Sequence, residues 1–186
     1  MTTDPAHPAP GRLELVRRFA NTEDRYGGHD DLADADRAAA WLAEHDLLPH
    51  TEAVTTADLG HLHRFRAVLH ELAATTGPSA DALNTFNQLS AAAPQVVRID
   101  TDEHGRLRTA LAPHRPGVTA AIAELAASVH EAVLTDTWPR LKACANPDCA
   151  WLFYDTSRSR TGRWCSMRAC GSIHKARAYR ARNRPH

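Results

Sequence analysis

Apolar residues in the first 134 positions recur mainly at intervals of three and four, the spacing of helices that bury one face. This spacing predicts five helices, at about residues 13–20, 38–45, 59–72, 83–90 and 118–133. The last one carries a continuous apolar stripe through Val118, Ile122, Leu125, Val129 and Val133. We therefore expect it to pack on the helix at residues 59–72.

Polar residues that begin helices stand before three of these segments. Asp34 or Asp36, Thr55 or Thr56, and Ser79 are candidate N-caps. Residues 95–100 and 106–111 are instead strand-like, and the turn residues between them predict a β-hairpin. The first part of the chain is thus predicted to be a mostly helical α+β domain with a small β-hairpin.

The length of 186 residues fits one ordinary domain and a small appendage. Residues 1–10 contain three prolines and no apolar periodicity, which predicts a disordered leader. We divide the rest into a helical domain at 11–134, a linker at 135–139 and a C-terminal module at 140–186. No run of eighteen apolar residues occurs, so we expect no membrane span.

All four cysteines lie in the C-terminal module, as Cys144-x4-Cys149 and Cys165-x4-Cys170. Two matched pairs predict one tetrahedral zinc ion held by four thiolates. Two disulfides are the alternative, but the N-terminus has no export signal, and a reducing cytoplasm favours metal ligation. Four thiolates leave no position for water, so we expect the zinc to be structural.

The residues between and after the cysteine pairs predict the rest of the module. A β-prone run at residues 151–154 and the return through Arg163, Trp164 and Cys165 predict a hairpin with Gly162 near its turn. Residues 172–182 contain no proline or glycine and predict a helix that begins near Cys170. Cysteine loop, hairpin and helix in this order indicate a treble-clef-like zinc finger.

Charge is divided unevenly along the chain. Residues 1–139 contain 11 arginines and 20 acidic residues, whereas residues 140–186 contain 11 lysines or arginines and two aspartates. This asymmetry favours a polyanionic partner for the C-terminal module. A solubilising tail, or a tail that folds back onto the acidic domain, would explain the same charge.

Arginine suits phosphate because its planar guanidinium donates two parallel hydrogen bonds. The predicted nucleic-acid contacts are Arg158, Arg160, Arg163, Arg168, Lys175, Arg177, Arg180, Arg182 and Arg184. Their spread over more than one face of the terminal helix favours phosphate contact over reading of bases. Four aromatic residues of the module can stack on bases, but in so small a module a core role is favoured: Trp151, Phe153, Tyr154 and Trp164.

Residues 141–171, LKACANPDCAWLFYDTSRSRTGRWCSMRACG, and the KARAYRAR that follows closely resemble the CGNR zinc finger. Residues 19–48, FANTEDRYGGHDDLADADRAAAWLAEHDLL, resemble the start of the ABATE domain, which usually precedes that finger. The resemblance implies a bacterial regulator of the stress-induced transcription regulator group that binds DNA. The tetrapeptide that gives the finger its name begins at Cys170 in this chain. Ser172 and Ile173 stand where the family has Asn and Arg, which puts in doubt any contact that the family makes there.

The segment Asn21-Thr22-Glu23-Asp24-Arg25 matches the family's usual Asn-Thr. Asn21, Thr22 and Arg25 are therefore candidate effector-binding residues, although capping of the preceding helix is the favoured interpretation. His63 and His70 can share a helix face, where a core-edge role is favoured over a second metal site. His174 could act as a metal ligand only if it displaced a cysteine.

No nucleotide-binding, hydrolase or metalloprotease motif occurs, so we expect no enzymatic activity. The leading hypothesis is a cytoplasmic, zinc-dependent DNA-binding regulator whose first domain senses an effector or dimerises. An RNA-binding zinc module and a protein-interaction adaptor that uses the basic tail are the alternatives. The recognised DNA site, the effector and the oligomeric state, including a homodimer, stay open from the sequence.

Overall fold

A computed structural model describes residues 7–74, 77–149 and 151–183. The helices are Leu13–Ala20 (α1), Ala35–Glu44 (α2), Thr56–Leu72 (α3), Ala80–Ala92 (α4), Val118–Leu134 (α5) and Ser172–Arg182 (α6). The strands are Glu23–Asp24 (β1), His29–Asp30 (β2), Gln95–Thr101 (β3), Leu107–Pro113 (β4), Leu141–Ala143 (β5) and Leu152–Tyr154 (β6). Successive strands pair antiparallel as β1–β2, β3–β4 and β5–β6. This confirms the α+β class with a mostly helical first domain.

The core of the first domain lies where α1, α3 and α5 pack together. Phe19 of α1, Phe65 of α3 and Leu125 of α5 are completely buried. The rings of Phe19 and Phe65 lie 6.1 Å apart between centroids, and the Trp41 ring of α2 lies 5.6 Å from that of Phe19. The apolar stripes predicted from the sequence therefore meet in one core, except that Val133 near the end of α5 is 57% exposed.

The N-cap residues of three helices accept hydrogen bonds from the first helical turn. Asp34 accepts from the backbone N–H of Arg37, and Ser79 accepts from that of Ala82. At α3, the structure selects Thr55 over Thr56. The Thr55 hydroxyl accepts from the backbone N–H of Asp58, whose carboxylate accepts from that of Thr55 in return. This reciprocal arrangement satisfies two N–H groups that the helix leaves without partners.

Replacing Thr55 by alanine is expected to lower the free energy of unfolding by about 1 kcal/mol, because the capping hydrogen bond is lost. Thermal or urea unfolding followed by circular dichroism measures this change. Thr56→Ala, at the adjacent exposed position, is the matched control and should have little effect. Equal losses in the two variants would contradict the assignment of the cap.

Strands β3 and β4 form the predicted hairpin, in a register that runs from Gln95 opposite Pro113 to Thr101 opposite Leu107. The Gln95 side chain donates to the Ala123 carbonyl of α5 and attaches the base of the hairpin to the domain. The hairpin is largely uncovered towards its turn, where Ile99 is 68% and Leu107 77% exposed. An open groove of about 620 Å³ separates the hairpin from the second half of α5.

Two segments that were predicted to lack regular structure contact the first domain. Ala9, in the predicted leader, is buried, and its N–H donates to the Glu14 carboxylate. Residues 1–6 of the leader lie outside the described residues. In the predicted linker at 135–139, Trp138 begins a 3₁₀ turn and packs against the main core.

The C-terminal module rests directly on the first domain. Leu141 of β5 and Leu152 of β6 are buried in the same apolar cluster as α1, α3 and α5. The backbone N–H of Ala143 donates to the carbonyl of Ala73, just after α3, at 3.0 Å. Shared apolar burial of this kind holds two parts of a chain in one arrangement. Among the described residues, none of the helices has the length and apolar character needed to cross a bilayer.

Candidate metal centre

The first cysteine pair lies on a β-hairpin that differs from the predicted one. Strand β6 pairs with β5, which precedes Cys144, and not with Arg163, Trp164 and Cys165. The turn of this hairpin is the cysteine loop itself, closed by a hydrogen bond from the Cys144 N–H to the Trp151 carbonyl at 2.8 Å. In the return segment, the Arg163 carbonyl accepts from the Ala145 N–H of that loop at 2.8 Å. The predicted pairing was wrong because β5 has three residues, Leu141, Lys142 and Ala143, which carry too short a pattern to be recognised as a strand.

The second cysteine pair lies at the start of the terminal helix, as predicted. The Ser166 hydroxyl accepts from the N–H of Ala169 and begins a π-helical turn, Met167–Gly171, that carries Cys170 into α6. Ser172, which departs from the family tetrapeptide, donates its hydroxyl proton to the Met167 carbonyl. A salt bridge of 2.8 Å between Arg177 of α6 and Asp148 of the first cysteine loop ties the two halves of the site together.

The four sulfur atoms converge on one point. All lie within 4.8 Å of one another, and Cys165 Sγ is 3.6 Å from Cys149 Sγ and 3.7 Å from Cys170 Sγ. A tetrahedron of sulfurs about 2.3 Å from a zinc ion has edges of about 3.8 Å. A disulfide would require about 2.05 Å, and all four thiols are free. The residues present therefore fit a four-coordinate metal ion.

Electrostatics inside the cluster also favour a cation. Hydrogen bonds from the thiols of Cys149 and Cys165, with backbone N–H donors of Cys165 and Asn146, lower the pKa of Cys144. The hydrogen bond to that Cys144 thiolate raises the pKa of Cys149, and that of Cys165 is raised as well. One thiolate thus forms readily, whereas four adjacent thiolates require a positive charge between them.

A buried carboxylate that the sequence analysis did not single out organises the segment between the cysteine pairs. Asp155 is buried and accepts from Lys142 Nζ at 2.8 Å, from Ser157 N–H at 3.0 Å and from Gly162 N–H at 2.7 Å. Burial by itself would raise the pKa of Asp155, but these hydrogen bonds lower it below its ordinary value. One feature of the sequence could have pointed to this residue: Asp155 is the last acidic residue, and the Lys and Arg residues after it have no acidic neighbour in sequence.

The same carboxylate explains the glycine at position 162. A Cβ atom added there would lie 2.8 Å from the carboxyl carbon of Asp155 and 2.9 Å from each of its oxygens. The backbone can approach Asp155 closely only because glycine has no side chain. Gly162 is therefore required for the close contact with the Asp155 carboxylate rather than for the turn of the predicted hairpin.

The aromatic residues of the module are part of its packing. Trp151 and Trp164 lie against the cysteine cluster, Phe153 is buried, and Tyr154 packs against the main core. The Trp164 ring also contacts His174, 4.8 Å away between centroids. These positions are those expected of core residues.

The predicted nucleic-acid residues fall into paired and unpaired groups. Arg160 pairs with Asp136 at 3.3 Å, Arg177 pairs with Asp148, and the Arg163 guanidinium lies 5.6 Å from the centre of the Trp164 ring. The side chains of four exposed cations make no hydrogen bond or ion pair with any residue that the structure describes: Arg158, Arg168, Lys175 and Arg180. The side chain of Arg182 and the whole of Arg184 lie outside the described part of the chain.

Of the three candidate effector residues, the structure places Asn21 at the contact between domain and module. The Asn21 side chain bonds the backbone of Leu152, and the Thr22 hydroxyl donates to the Phe19 carbonyl. Arg25 is exposed, with Glu23 at 3.6 Å. Effector binding by these residues stays a prediction.

The histidines considered above have other partners. His63 and His70 are hydrogen-bonded through Nε2 to the backbone carbonyls of Leu32 and Ala20. Both therefore lie at the core edge, joining α3 to the segments around α1 and β2. Among the described residues, the cysteine cluster is the one group of three or more potential metal ligands.

Comparison with known families agrees with this architecture. Residues 140–183 match the model of the CGNR zinc finger, and residues 13–136 match that of the ABATE family, described as "Putative stress-induced transcription regulator". None of the curated proteins compared with the chain matches it. The ABATE match alone spans well over half of the 186 residues. The chain therefore belongs to the ABATE family and carries a CGNR zinc finger after that domain.

Proposed function

We propose that this protein binds one structural zinc ion through Cys144, Cys149, Cys165 and Cys170, and binds duplex DNA with the basic surface of the same module to regulate transcription. The observation that carries the DNA proposal is the set of exposed cations without a described partner. The family description supports the regulatory role.

Zinc suits the site because four thiolates are among the ligand sets that structural zinc prefers. With all four positions taken by protein, the metal has no coordination site for substrate or water. Its role is to hold a module whose own apolar core is small. Metal analysis of the purified full-length protein should give one zinc ion per chain.

The four unpaired cations can contact phosphate without breaking an existing ion pair. Arg168 lies in the second cysteine loop, and Lys175 and Arg180 follow on α6. Arg158 lies between the cysteine pairs, so the metal-bound module presents cations from three of its segments. Mutual repulsion among these charges is relieved when a polyanion binds.

Binding to a labelled duplex is expected to weaken with salt, with a slope of log K against log salt of about −3.6 if four phosphates are contacted. Fluorescence anisotropy between 50 and 300 mM KCl, as typical working values, measures this slope. Arg168→Ala should weaken binding and reduce the magnitude of the slope by about 1. Arg37→Ala, which removes an exposed arginine of the first domain, is the matched control.

Three results would reject DNA binding or favour one of the alternative functions. Absence of duplex affinity at low salt would reject DNA binding. Stronger competition by single-stranded or structured RNA than by duplex DNA would favour an RNA-binding module. An adaptor would be favoured if the protein bound an acidic protein partner but no nucleic acid, and if removal of the basic residues abolished that partner binding.

We assign to the first domain the role of sensing an effector or forming a dimer. The groove between the β3–β4 hairpin and α5, lined by Val97, Leu111, Leu134 and Arg108 among others, supports the sensing role. Its volume of about 620 Å³ is that of a small-molecule site. Light scattering of the purified protein, with and without DNA, measures the oligomeric state.

A further inference from the structure

One segment of the first domain reaches the metal centre. Residues 21–31, which include β1 and β2, contact the C-terminal module at two places. At the first, the Asn21 amide donates to the Leu152 carbonyl and accepts from the Leu152 N–H, both at 2.8 Å. The side chain of Asn21 thus hydrogen-bonds the backbone N–H and carbonyl on the outer edge of β6, as a neighbouring strand would.

The second contact passes through Asn146, a buried residue between the ligands Cys144 and Cys149. Asn146 Nδ2 donates to the Tyr26 hydroxyl oxygen at 2.5 Å and to Cys170 Sγ at 3.5 Å. Asn146 Oδ1 accepts from the Asp148 N–H at 3.4 Å. With the oxygen engaged by a donor and the nitrogen by two acceptors, the orientation of the amide is determined.

The segment that carries Tyr26 is itself held by α3. Arg66 donates to the Thr22 hydroxyl at 3.0 Å and to both carboxylate oxygens of Asp30, at 2.5 and 2.9 Å. Tyr26 N–H donates to the Asp24 carboxylate at 3.0 Å. The Tyr26 ring is exposed, so its position is set by these backbone anchors and by the hydroxyl contact to Asn146.

We propose that Asn146 and Tyr26 form an outer shell of the metal centre, in which Tyr26 of the first domain orients Asn146 and Asn146 stabilises the Cys170 thiolate. This inference rests on the proposed zinc site. A zinc ion with four thiolates carries a net charge of −2, and N–H donors to sulfur disperse that charge. Metal affinity of the finger then depends on a residue of the other domain, and metal binding orders residues 21–31 in return.

Zinc affinity of the full-length protein, measured by competition with a chromophoric chelator, tests the proposal. Asn146→Ala is expected to weaken zinc binding by about 10- to 100-fold, the usual effect of losing an outer-shell partner. Tyr26→Phe removes the acceptor that orients Asn146 and should cause a smaller loss. Tyr179→Phe, at an exposed tyrosine of α6 whose side chain has no hydrogen bond to the described residues, is the matched control.

Two further measurements separate this role from a merely structural one. Because Tyr26 acts through Asn146, the double variant should bind zinc no more weakly than Asn146→Ala alone, and additive losses would overturn the proposal. In the cobalt-substituted protein, Asn146→Ala should shift the thiolate-to-metal charge-transfer band, because a hydrogen bond to sulfur is lost. An unchanged band would also overturn it.

The same samples distinguish failure of this inference from failure of the proposed function. If the parent protein binds no metal, the zinc site itself is rejected. If the parent binds one zinc ion and both single variants match it in affinity, the outer-shell role is rejected while the zinc site stands. Hydrogen exchange within residues 21–31 should slow on zinc binding in the parent and much less in Asn146→Ala.

Discussion

Replacing Cys165 by serine is expected to abolish tight zinc binding and to unfold the C-terminal module. Cys165 Sγ lies 3.6 Å from Cys149 Sγ and 3.7 Å from Cys170 Sγ, so its loss removes one of the four ligands through which a metal ion would join the two pairs. Structural zinc contributes on the order of 10–16 kcal/mol of apparent binding energy, more than the small core of such a module supplies. Metal analysis and limited proteolysis of the purified protein measure both effects, with cleavage expected within residues 140–183.

Ala169→Ser is the matched control for this experiment. It places the same serine at an exposed position of the same cysteine loop without removing a ligand. This variant should keep one zinc ion and the protease resistance of the parent. A Cys165→Ser protein that retained its metal or a protease-resistant module would show that the four-cysteine site is not what holds the fold there.

Replacing Asp155 by alanine is expected to lower the free energy of unfolding of the zinc-loaded protein by about 3 kcal/mol, because removal of one member of a buried ion pair strands the other. Lys142 would keep the carbonyl of Arg160 as an acceptor but lose its counter-charge. The backbone N–H groups of Ser157 and Gly162 would lose their acceptor as well. Urea unfolding followed by tryptophan fluorescence measures the change.

The exposed pair between Asp136 and Arg160 supplies the control. Asp136→Asn breaks a contact whose two side chains are 71% and 44% exposed, and it keeps a residue type that tolerates the positive φ of 54° at this position, so a loss well below 1 kcal/mol is expected. Similar losses in the two aspartate variants would contradict the assignment of Asp155 as the buried organiser of its segment.

The effect of Asp155 should also depend on pH in a defined direction. Its pKa is lower in the folded protein than in the unfolded chain, where a value of about 4 is usual. The carboxylate therefore stabilises the fold above pH of about 4, and this contribution is lost as the pH falls further. The difference between parent and Asp155→Ala should be full at neutral pH and shrink with acidification, and a difference that grew would contradict the assignment.

Local patterns were enough to predict most helices and the clustering of the four cysteines. The predicted bounds of α1, at residues 13–20, agree with the structure, because its apolar spacing and the following Asn-Thr are both local features. The β3–β4 hairpin was also predicted, since its two strands are joined by a short turn. The cysteine cluster was predictable because the sequence contains four cysteines, and they stand in two pairs with the same short spacing.

Features that depend on distant parts of the chain were not predictable in this way. The pairing of β5 with β6 was missed because three-residue strands carry too little pattern to choose a partner, and the metal loop between them decides the pairing. Likewise, the sequence shows Asn21 as a polar residue after a helix. Only the folded chain brings it against Leu152, 131 positions away.

The sequence by itself determined the fold class, the four cysteines of the candidate metal centre and the concentration of positive charge in residues 140–186, because these follow from residue types and short spacings. Tertiary structure alone decided which arginines have an ion-pair partner among the described residues, as Arg177 does, and which do not, as with Arg168. It also decided that Tyr26 lies beside Asn146. Such contacts depend on how two parts of the chain pack together, and packing places side chains with a precision that no local pattern contains.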